Sequence, residues 1–343
     1  MQSILLRKWE ENNRARWVIY PLLLIALWFW QGPRLLHAGP TNGFDLSNAL
    51  VPVTEILHGG PGRDGIPAID HPHFIDASQA DYLHDSDRVL GINLLGETKA
   101  YPVRILNYHE IVNDRFGDTA VLLSYCPLCG TGMAFLAARN GKNAEFGVSG
   151  LLYNSDVLLY DRQTESLWSQ IRKQAITGPL KGERLQQIPL EHTNWSDWRA
   201  RYPKTKVLSQ DTGYRRDYTR SPYAGYEQSP QIMFEVAARD GRFRPKEWVI
   251  GVEIEGIFKA YPFSKLPKEK TELHDQIDGK SIRLVYDATN RNGRVYSDGK
   301  LLPSTMSYWF AWYAFHPQTL VYEMQDTRPT GSRPSRDDGK KQD

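Results

Sequence analysis

The stretch that decides the fold is Val89-Leu-Gly-Ile-Asn-Leu-Leu-Gly-Glu-Thr-Lys-Ala-Tyr-Pro102, because it recurs as Val249-Ile-Gly-Val-Glu-Ile-Glu-Gly-Ile-Phe-Lys-Ala-Tyr-Pro262. The two stretches align without gaps and are identical at 7 of 14 positions. In the second stretch, apolar and polar residues alternate up to a central glycine, and a proline, which cannot donate to a strand ladder, closes each stretch. We therefore predict a β-hairpin in each stretch and a chain that is internally duplicated.

A second match marks the end of each copy. The pattern Trp-x2-Trp, followed by an aromatic or histidine residue, Pro, Thr and Val, occupies 195–207 and again 309–321. Around each pattern we predict a short amphipathic helix, over Asn194–Tyr202 and Ser307–Phe315, that ends before the proline. Together with half-buried strands such as 282–286, these features predict a β-rich α+β fold.

The two copies differ where the chemistry lies. Copy 1 carries both cysteines of the chain in Cys126-Pro-Leu-Cys129-Gly130, whereas copy 2 has Asp287-Ala-Thr-Asn290-Arg291 at that position. Copy 1 also has about forty additional residues, which include the segment 146–170. If duplication supplied a scaffold, the function is expected where one copy departs from it. We therefore predict that the cysteines and the segment 146–170 form the functional centre.

The cysteine pair permits three interpretations. It follows an apolar strand, Ala120–Tyr125, at the tip of a predicted hairpin, and Cys-Pro-x-Cys-Gly is the form of a metal-binding turn. Copper or zinc would then be held by Cys126 and Cys129, with His109, or else His71 or His73, as a further ligand. Alternatively the pair is a thiol-disulfide oxidoreductase centre in which Cys126 attacks and Cys129 resolves. The third interpretation is a buried structural disulfide, which would stabilise little because its loop is very small.

Other residues have both a functional and a structural interpretation. His109-Glu110 aligns loosely with His274-Asp275 of the cysteine-free copy, which favours a structural role for His109. For each of the remaining candidates, a structural role in a turn, an ion pair or the core is the alternative to a functional role. These candidates are Arg63, Asp64, Glu110, Asp114, Asp161 and Trp168.

Composition and the N-terminus indicate where the protein works. The formal charge of +2 over 343 residues gives no support to a nucleic-acid partner, so small molecules or proteins are the expected partners. Four basic residues precede an uncharged apolar stretch, which predicts a single-pass anchor, or a cleaved signal, at 17–36 with 1–16 in the cytoplasm. The rest of the chain is then expected in the periplasm, as copy 1 at 44–225, copy 2 at 226–326 and a disordered tail at 327–343.

Several motifs occur in the order found in a known bacterial family. They are Arg63–Pro67, Lys99–Pro102, His109–Asp114, Tyr125–Gly130, Ser149-Gly150 and Tyr160–Gln170. In these motifs the chain resembles the family known as domain of unknown function 3179, over most of 44–223. The resemblance implies an exported or anchored protein. It implies no particular reaction, since the family has no assigned activity.

Overall fold

The computed structural model describes residues 41–139, 142–268 and 271–323. That part of the chain contains 24 strands and three α-helices of only four to seven residues. The strands form five sheets of four or five strands, which are the blades of a five-bladed β-propeller, and one two-stranded ribbon. The predicted α+β class is therefore wrong, because the helices are single turns or two turns between strands and form no layer of their own.

The first three blades are built from the residues before the long connector 209–247. Blade I contains β2 (Phe74–Asp76), β3 (Arg88–Leu94), β4 (Glu97–Pro102), β15 (Glu191–Asn194) and β16 (Lys206–Leu208). Blade II contains β5 (Ile111–Phe116), β6 (Thr119–Cys126), β7 (Thr131–Leu136) and β14 (Gln186–Ile188). Blade III contains β1 (Ile56–His58), β10 (Phe146–Tyr153), β11 (Asp156–Asp161), β12 (Leu167–Ser169) and β13 (Gln174–Ala175).

The last two blades follow the connector. Blade IV contains β17 (Trp248–Ile254), β18 (Ile257–Pro262), β23 (Thr305–Tyr308) and β24 (Leu320–Val321). Blade V contains β19 (Glu272–Ile277), β20 (Lys280–Asp287), β21 (Asn292–Ser297) and β22 (Lys300–Leu302). The ribbon pairs β8 (Ala138–Arg139) with β9 (Lys142–Asn143), and the helices are α1 (Val103–Leu106), α2 (Trp195–Arg201) and α3 (Trp309–Phe315).

The two predicted hairpins are confirmed. Strand β3 pairs with β4 and β17 pairs with β18 in the same antiparallel register, in which Val89 faces Pro102 and Val249 faces Pro262. Each hairpin closes through a two-residue turn with both φ angles positive, which is the turn geometry that matches strand twist. The repetition in the structure is that of propeller blades, and blades I and IV share this hairpin.

The repeated glycine and tryptophan residues pack against each other. A Cβ atom on Gly91 would lie 2.2 Å from the Trp198 ring, and one on Gly251 would lie 2.1 Å from the Trp312 ring. Each indole therefore lies directly on the backbone of a hairpin. Trp198 donates to Thr205 at 3.0 Å, and Trp312 makes the equivalent bond. The predicted helices at these tryptophans are confirmed, and their function is to seat an indole on the blade.

The alignment of His109-Glu110 with His274-Asp275 is wrong. Strands β5 and β6 are joined by a two-residue turn between Phe116 and Thr119, as β19 and β20 are between Ile277 and Lys280. This register places His274 at the position of Asn113. His109 therefore has no counterpart in His274, and the argument that both histidines share a role fails.

Apolar residues fill the space between facing blades. Blades I and II meet through Leu90, Tyr101, Val112, Phe116 and Leu123. Blades II and III meet through Leu122, Phe135, Phe146, Leu159 and Trp168. Blades IV and V meet through Ile250, Tyr261, Leu284 and Val295.

The predicted membrane segment 17–36 and the predicted tail 327–343 lie outside the described residues. Within the ranges that are described, no helix is long and apolar enough to cross a membrane.

Candidate metal centre

The cysteines lie on the turn between two central strands of blade II. Strand β6 ends at Cys126, the turn carries Cys129, and β7 returns antiparallel to β6, so the predicted hairpin is confirmed. Both cysteines are buried. Gly130 has a φ of +64°, and a Cβ atom there would lie 2.7 Å from the Trp248 ring. The turn therefore needs glycine at this position for its backbone angle and for space.

A second turn from blade III meets the cysteine turn. Asn154 and Ser155 join β10 to β11 with φ angles of +53° and +64°, a turn that asparagine adopts readily and serine adopts at a cost. Asn154 is fixed through its side chain, which accepts from the Ala237 amide at 2.8 Å. This arrangement directs the Ser155 carbonyl at the thiols, 3.2 Å from the Sγ of Cys129 and 3.8 Å from that of Cys126.

The residue after this turn completes a three-residue cluster. One oxygen of Asp156 and the sulfur atoms of Cys126 and Cys129 all lie within 4.8 Å of one another. The Oδ2 atom of Asp156 accepts from the Ile171 amide at 3.0 Å, which fixes the carboxyl group. In the described part of the chain, the buried Oδ1 atom has no hydrogen-bond partner. The cluster therefore presents two sulfurs and one oxygen towards a common point.

Glu110 brings a fourth acidic group to the same region. It is buried, and its carbonyl oxygen accepts from the Tyr125 amide at 2.7 Å, next to Cys126 in the chain. Burial, and then the charge of Asp156, raise the pKa of Glu110 to about 8. Glu110 is not among the three residues whose donor atoms lie within 4.8 Å of one another.

The electrostatics of the cluster favour protonated groups. Burial raises the pKa of Asp156 to about 7 and raises the pKa of both thiols, that of Cys129 furthest. Neither Asp156 nor Glu110 forms an ion pair with any residue in the described ranges. The two thiols and Asp156 are thus buried together, with no ion pair to Asp156 in the described residues, and a bound cation would replace their protons.

His109 lies outside this cluster. Its Nδ1 atom is 2.8 Å from the Pro67 carbonyl and its Nε2 atom is 2.6 Å from the Tyr218 hydroxyl, so both ring nitrogens have partners. Burial lowers the pKa of His109. Its contacts join blade II to the segment around Pro67 and to the connector.

Asp114 has a structural environment. Both of its carboxylate oxygens lie 3.1 Å from the Nζ of Lys99, and Tyr101 donates to it as well. The same arrangement recurs in blades IV and V, where Lys259 and Tyr261 contact Asp275. The Lys-Ala-Tyr-Pro motif therefore serves to hold a buried carboxylate of the next blade.

The other candidates lie on blade III or beside it. Arg63 pairs with Glu165 at 2.7 Å and lies over the Tyr160 ring, whose hydroxyl donates to Asp64. Asp161 accepts from the indole of Trp168 at 3.0 Å and also caps the turn at Thr164. Of the sequence candidates, the structure thus brings together Cys126 and Cys129 as donor atoms, and it adds Asp156.

Asp156 could have been singled out from the sequence. It lies in the segment 146–170, which only copy 1 contains, and it directly follows an Asn-Ser pair between two apolar runs. Such a pair between apolar runs predicts a hairpin turn. An acidic residue next to that turn, in the segment that only copy 1 contains, was the clue to Asp156. The contact with the cysteines joins residues about thirty positions apart on two blades, which local patterns do not reveal.

The fold and the cluster define a class: a five-bladed β-propeller with a buried Cys-Cys-Asp centre between two blades. The chain belongs to the family described as protein of unknown function (DUF3179), whose sequence profile matches residues 63–300. The matched residues include all three members of the cluster. Comparison with curated proteins gave no match. Comparison with solved structures gave none either.

Proposed function

We propose that this protein binds a transition-metal ion through Cys126, Cys129 and Asp156. The observation that carries the proposal is the distance of at most 4.8 Å between the three donor atoms, in a buried place without a counter-charge. Thiolate sulfur and carboxylate oxygen are both ligands of zinc. A metal ion would stabilise the deprotonated groups, which burial alone disfavours.

Zinc fits this donor set better than copper. The two thiolates and one carboxylate carry three negative charges, and a divalent ion offsets more of that charge than Cu(I) does. Copper(I) also prefers sulfur to carboxylate oxygen. Glu110 is buried in the same region but lies outside the three-residue cluster, so among the described residues the protein supplies three ligands and leaves one position of a tetrahedral zinc site open.

A thiol-disulfide exchange function has less support. Exchange begins with a thiolate on an accessible sulfur, and a basic neighbour or a helix N-terminus lowers the thiol pKa for that purpose. Here both thiols are buried and their pKa values are raised. A buried structural disulfide remains the competing explanation for the pair, and the experiment below separates the three.

The test is elemental analysis of the full chain purified without chelator. We expect about one equivalent of zinc per chain, and less than a tenth of that in Cys126→Ser and in Asp156→Asn. Asp161→Asn is the matched control, because Asp161 is a buried aspartate of the same strand, β11, outside the cluster. This variant should retain its zinc.

Other outcomes identify the competing functions. A metal-free chain with two titratable thiols that a mild oxidant joins reversibly would favour exchange. A metal-free chain with a bridge that resists reduction would favour the structural disulfide. Metal that remains after Cys126→Ser and Asp156→Asn would contradict the proposed ligands.

A further inference from the structure

A small cavity adjoins the cysteine turn. It has a volume of about 140 Å³, and Pro127 of the turn forms part of its wall. Five aromatic side chains form part of the wall. The aromatic residues are Tyr125, Tyr223, Tyr226, Trp248 and Tyr308. A dry cavity of about 150 Å³ is known to hold one benzene molecule, so this cavity has room for a single ring or a short chain.

One end of the cavity is basic. Arg291 lines it and is paired with Glu227, whereas Arg88 donates to the carbonyl oxygens of Asn290 and Arg291. Within the described residues no carboxylate lies within ion-pair distance of Arg88. The guanidinium group thus has backbone partners, and the carboxylates of Glu227 and Asp197 act on it only from beyond ion-pair distance.

The charge of Arg88 persists despite its burial. Burial, and then the nearby charge of Arg291, lower the pKa of Arg88 to about 10, so the group is protonated at neutral pH. His192, also in the wall, is neutral because burial and Arg88 lower its pKa to about 3. With Arg291 offset by Glu227, the cavity retains one positive charge.

A second cavity of about 220 Å³ adjoins the first. It shares Arg88, Val103, Asn107 and Ser221 with it, and Ser221 and Arg220 in its wall are exposed to solvent. The connector 209–247 covers this side and contains no strand or helix. Connections of such length inside a domain are uncommon and usually belong to binding sites. The connector supplies Tyr223, Tyr226 and Glu227 to the cavity wall.

We propose that this cavity binds a small organic carboxylate, with one aromatic ring or a short apolar chain, whose carboxylate pairs with Arg88. The planar fork of arginine matches a carboxylate in a bidentate geometry. The tyrosine and tryptophan rings provide a flat apolar surface for the body of the ligand. The binding site is separate from the cysteine cluster, because neither thiol lines it, and it does not depend on a bound metal.

The test uses sodium benzoate as the probe and the full chain, with calorimetry and tryptophan fluorescence as measurements. We expect saturable binding of one benzoate per chain. Benzamide has the same shape without the charge, and inorganic phosphate has the charge without the ring. Each should bind at least about tenfold more weakly, because benzamide loses the charge-assisted bond to Arg88 and phosphate loses the ring contacts.

Variants locate the binding site. Arg88→Gln should weaken benzoate binding about tenfold or more. Arg104→Gln is the matched control, because Arg104 lines only the neighbouring cavity and is already paired with Asp87 at 2.7 Å. It should change benzoate affinity less than twofold. Zinc content and benzoate binding are measured on the same unaltered chain, and the metal proposal is tested by its own variants, so the two proposals fail independently.

The proposal is overturned if benzoate does not bind, if benzamide or phosphate binds as tightly as benzoate, or if Arg88→Gln binds benzoate normally. Should Arg88→Gln fail to fold, the comparison of benzoate with benzamide on the unaltered chain decides the question alone.

Discussion

At the scale of single residues, Gly91 shows how tightly the hairpins are packed. Gly91→Ala introduces a methyl group 2.2 Å from the Trp198 ring, which must then move away from the blade. We expect a loss of about 1–3 kcal/mol in the free energy of unfolding, as for other overpacked cores. Urea unfolding measures the loss.

Gly241→Ala is the control for this prediction. A Cβ atom on Gly241 has no neighbour within 4 Å, so the substitution should change stability by less than about 0.5 kcal/mol. Equal stability of the Gly91 and Gly241 variants would show that the indole has room to move.

His192 makes stability depend on pH. Its pKa is about 3 in the folded chain because of burial and the charge of Arg88, whereas the ordinary value is 6.5. Between these values the unfolded chain binds more protons than the folded chain, so stability falls as the pH falls from 6.5 towards 3. His192→Gln removes this titrating group, so the slope of the unfolding free energy against pH should decrease by up to about 1.4 kcal/mol per pH unit.

Unfolding midpoints between pH 7 and pH 4.5 provide the measurement. His274→Gln is the control, since His274 is mostly exposed on blade V. Glu110 and Asp156, whose pKa values are raised, act in the opposite direction, but they contribute equally to both variants. An unchanged slope in His192→Gln would mean that this histidine is protonated in the folded chain or is not buried in solution.

Residue-level prediction from the sequence succeeded where the signal is local. An apolar run followed by a turn with proline and glycine predicted the hairpin that holds the cysteine pair. The proximity of Asp156 to the cysteines and the separate role of His109 could not be predicted in this way, because both depend on contacts between distant segments. His109 bonds Tyr218 over a separation of 109 residues, and nothing in the sequence near His109 specifies that partner.

At the scale of elements, the Lys-Ala-Tyr-Pro hairpin of blade I supplies a lysine that forms a buried ion pair with an aspartate of blade II. Lys99 and Asp114 have side chains that are 7% and 5% exposed. Lys99→Met leaves the Asp114 charge without its partner, and we expect a loss of about 3–5 kcal/mol in unfolding free energy. The double variant Lys99→Met/Asp114→Leu should recover most of that loss, because it removes both charges.

The equivalent ion pair of blades IV and V is more exposed, so it tests whether burial determines the loss of stability. Lys259 and Asp275 are 13% and 17% exposed, so water screens the charge that Lys259→Met leaves behind. That variant should lose less stability than Lys99→Met. Losses of equal size in the two variants, measured by urea unfolding, would contradict burial as the cause.

Elements were predicted better than their assembly. Hairpins and helices follow from alternation, turn residues and prolines, all within about fifteen residues. The blades depend on pairings such as β14 with β7 and β2 with β16, which join strands more than forty residues apart. In the sequence, the short tryptophan helices look like parts of a helical layer. Only their packing onto Gly91 and Gly251 shows that each helix belongs to a single blade.

At the scale of the whole molecule, we propose that the propeller faces the periplasm. The basis is the sequence before the propeller, where Arg7, Lys8, Arg14 and Arg16 precede the uncharged stretch 17–33. A tag at the C-terminus should then be degraded by protease added to intact spheroplasts, whereas a cytoplasmic marker should survive. Replacing the four basic residues by Gln should reduce the accessible fraction severalfold.

The mass of the mature chain distinguishes a retained segment from a cleaved one. A tag that protease reaches only after the spheroplasts are lysed would contradict the periplasmic location. The metal proposal is unaffected by either result, because it depends only on the propeller.

The three proposed ligands come from two blades, since Cys126 and Cys129 belong to blade II and Asp156 to blade III. If the three residues bind an ion, its occupancy and the docking of blade III are linked equilibria. Any separation of the blades would then lower the affinity for the ion, and the ion would stabilise the docked state by an amount that grows with its concentration relative to Kd. Amide exchange in β10 and β11 should in that case slow as the ion concentration rises.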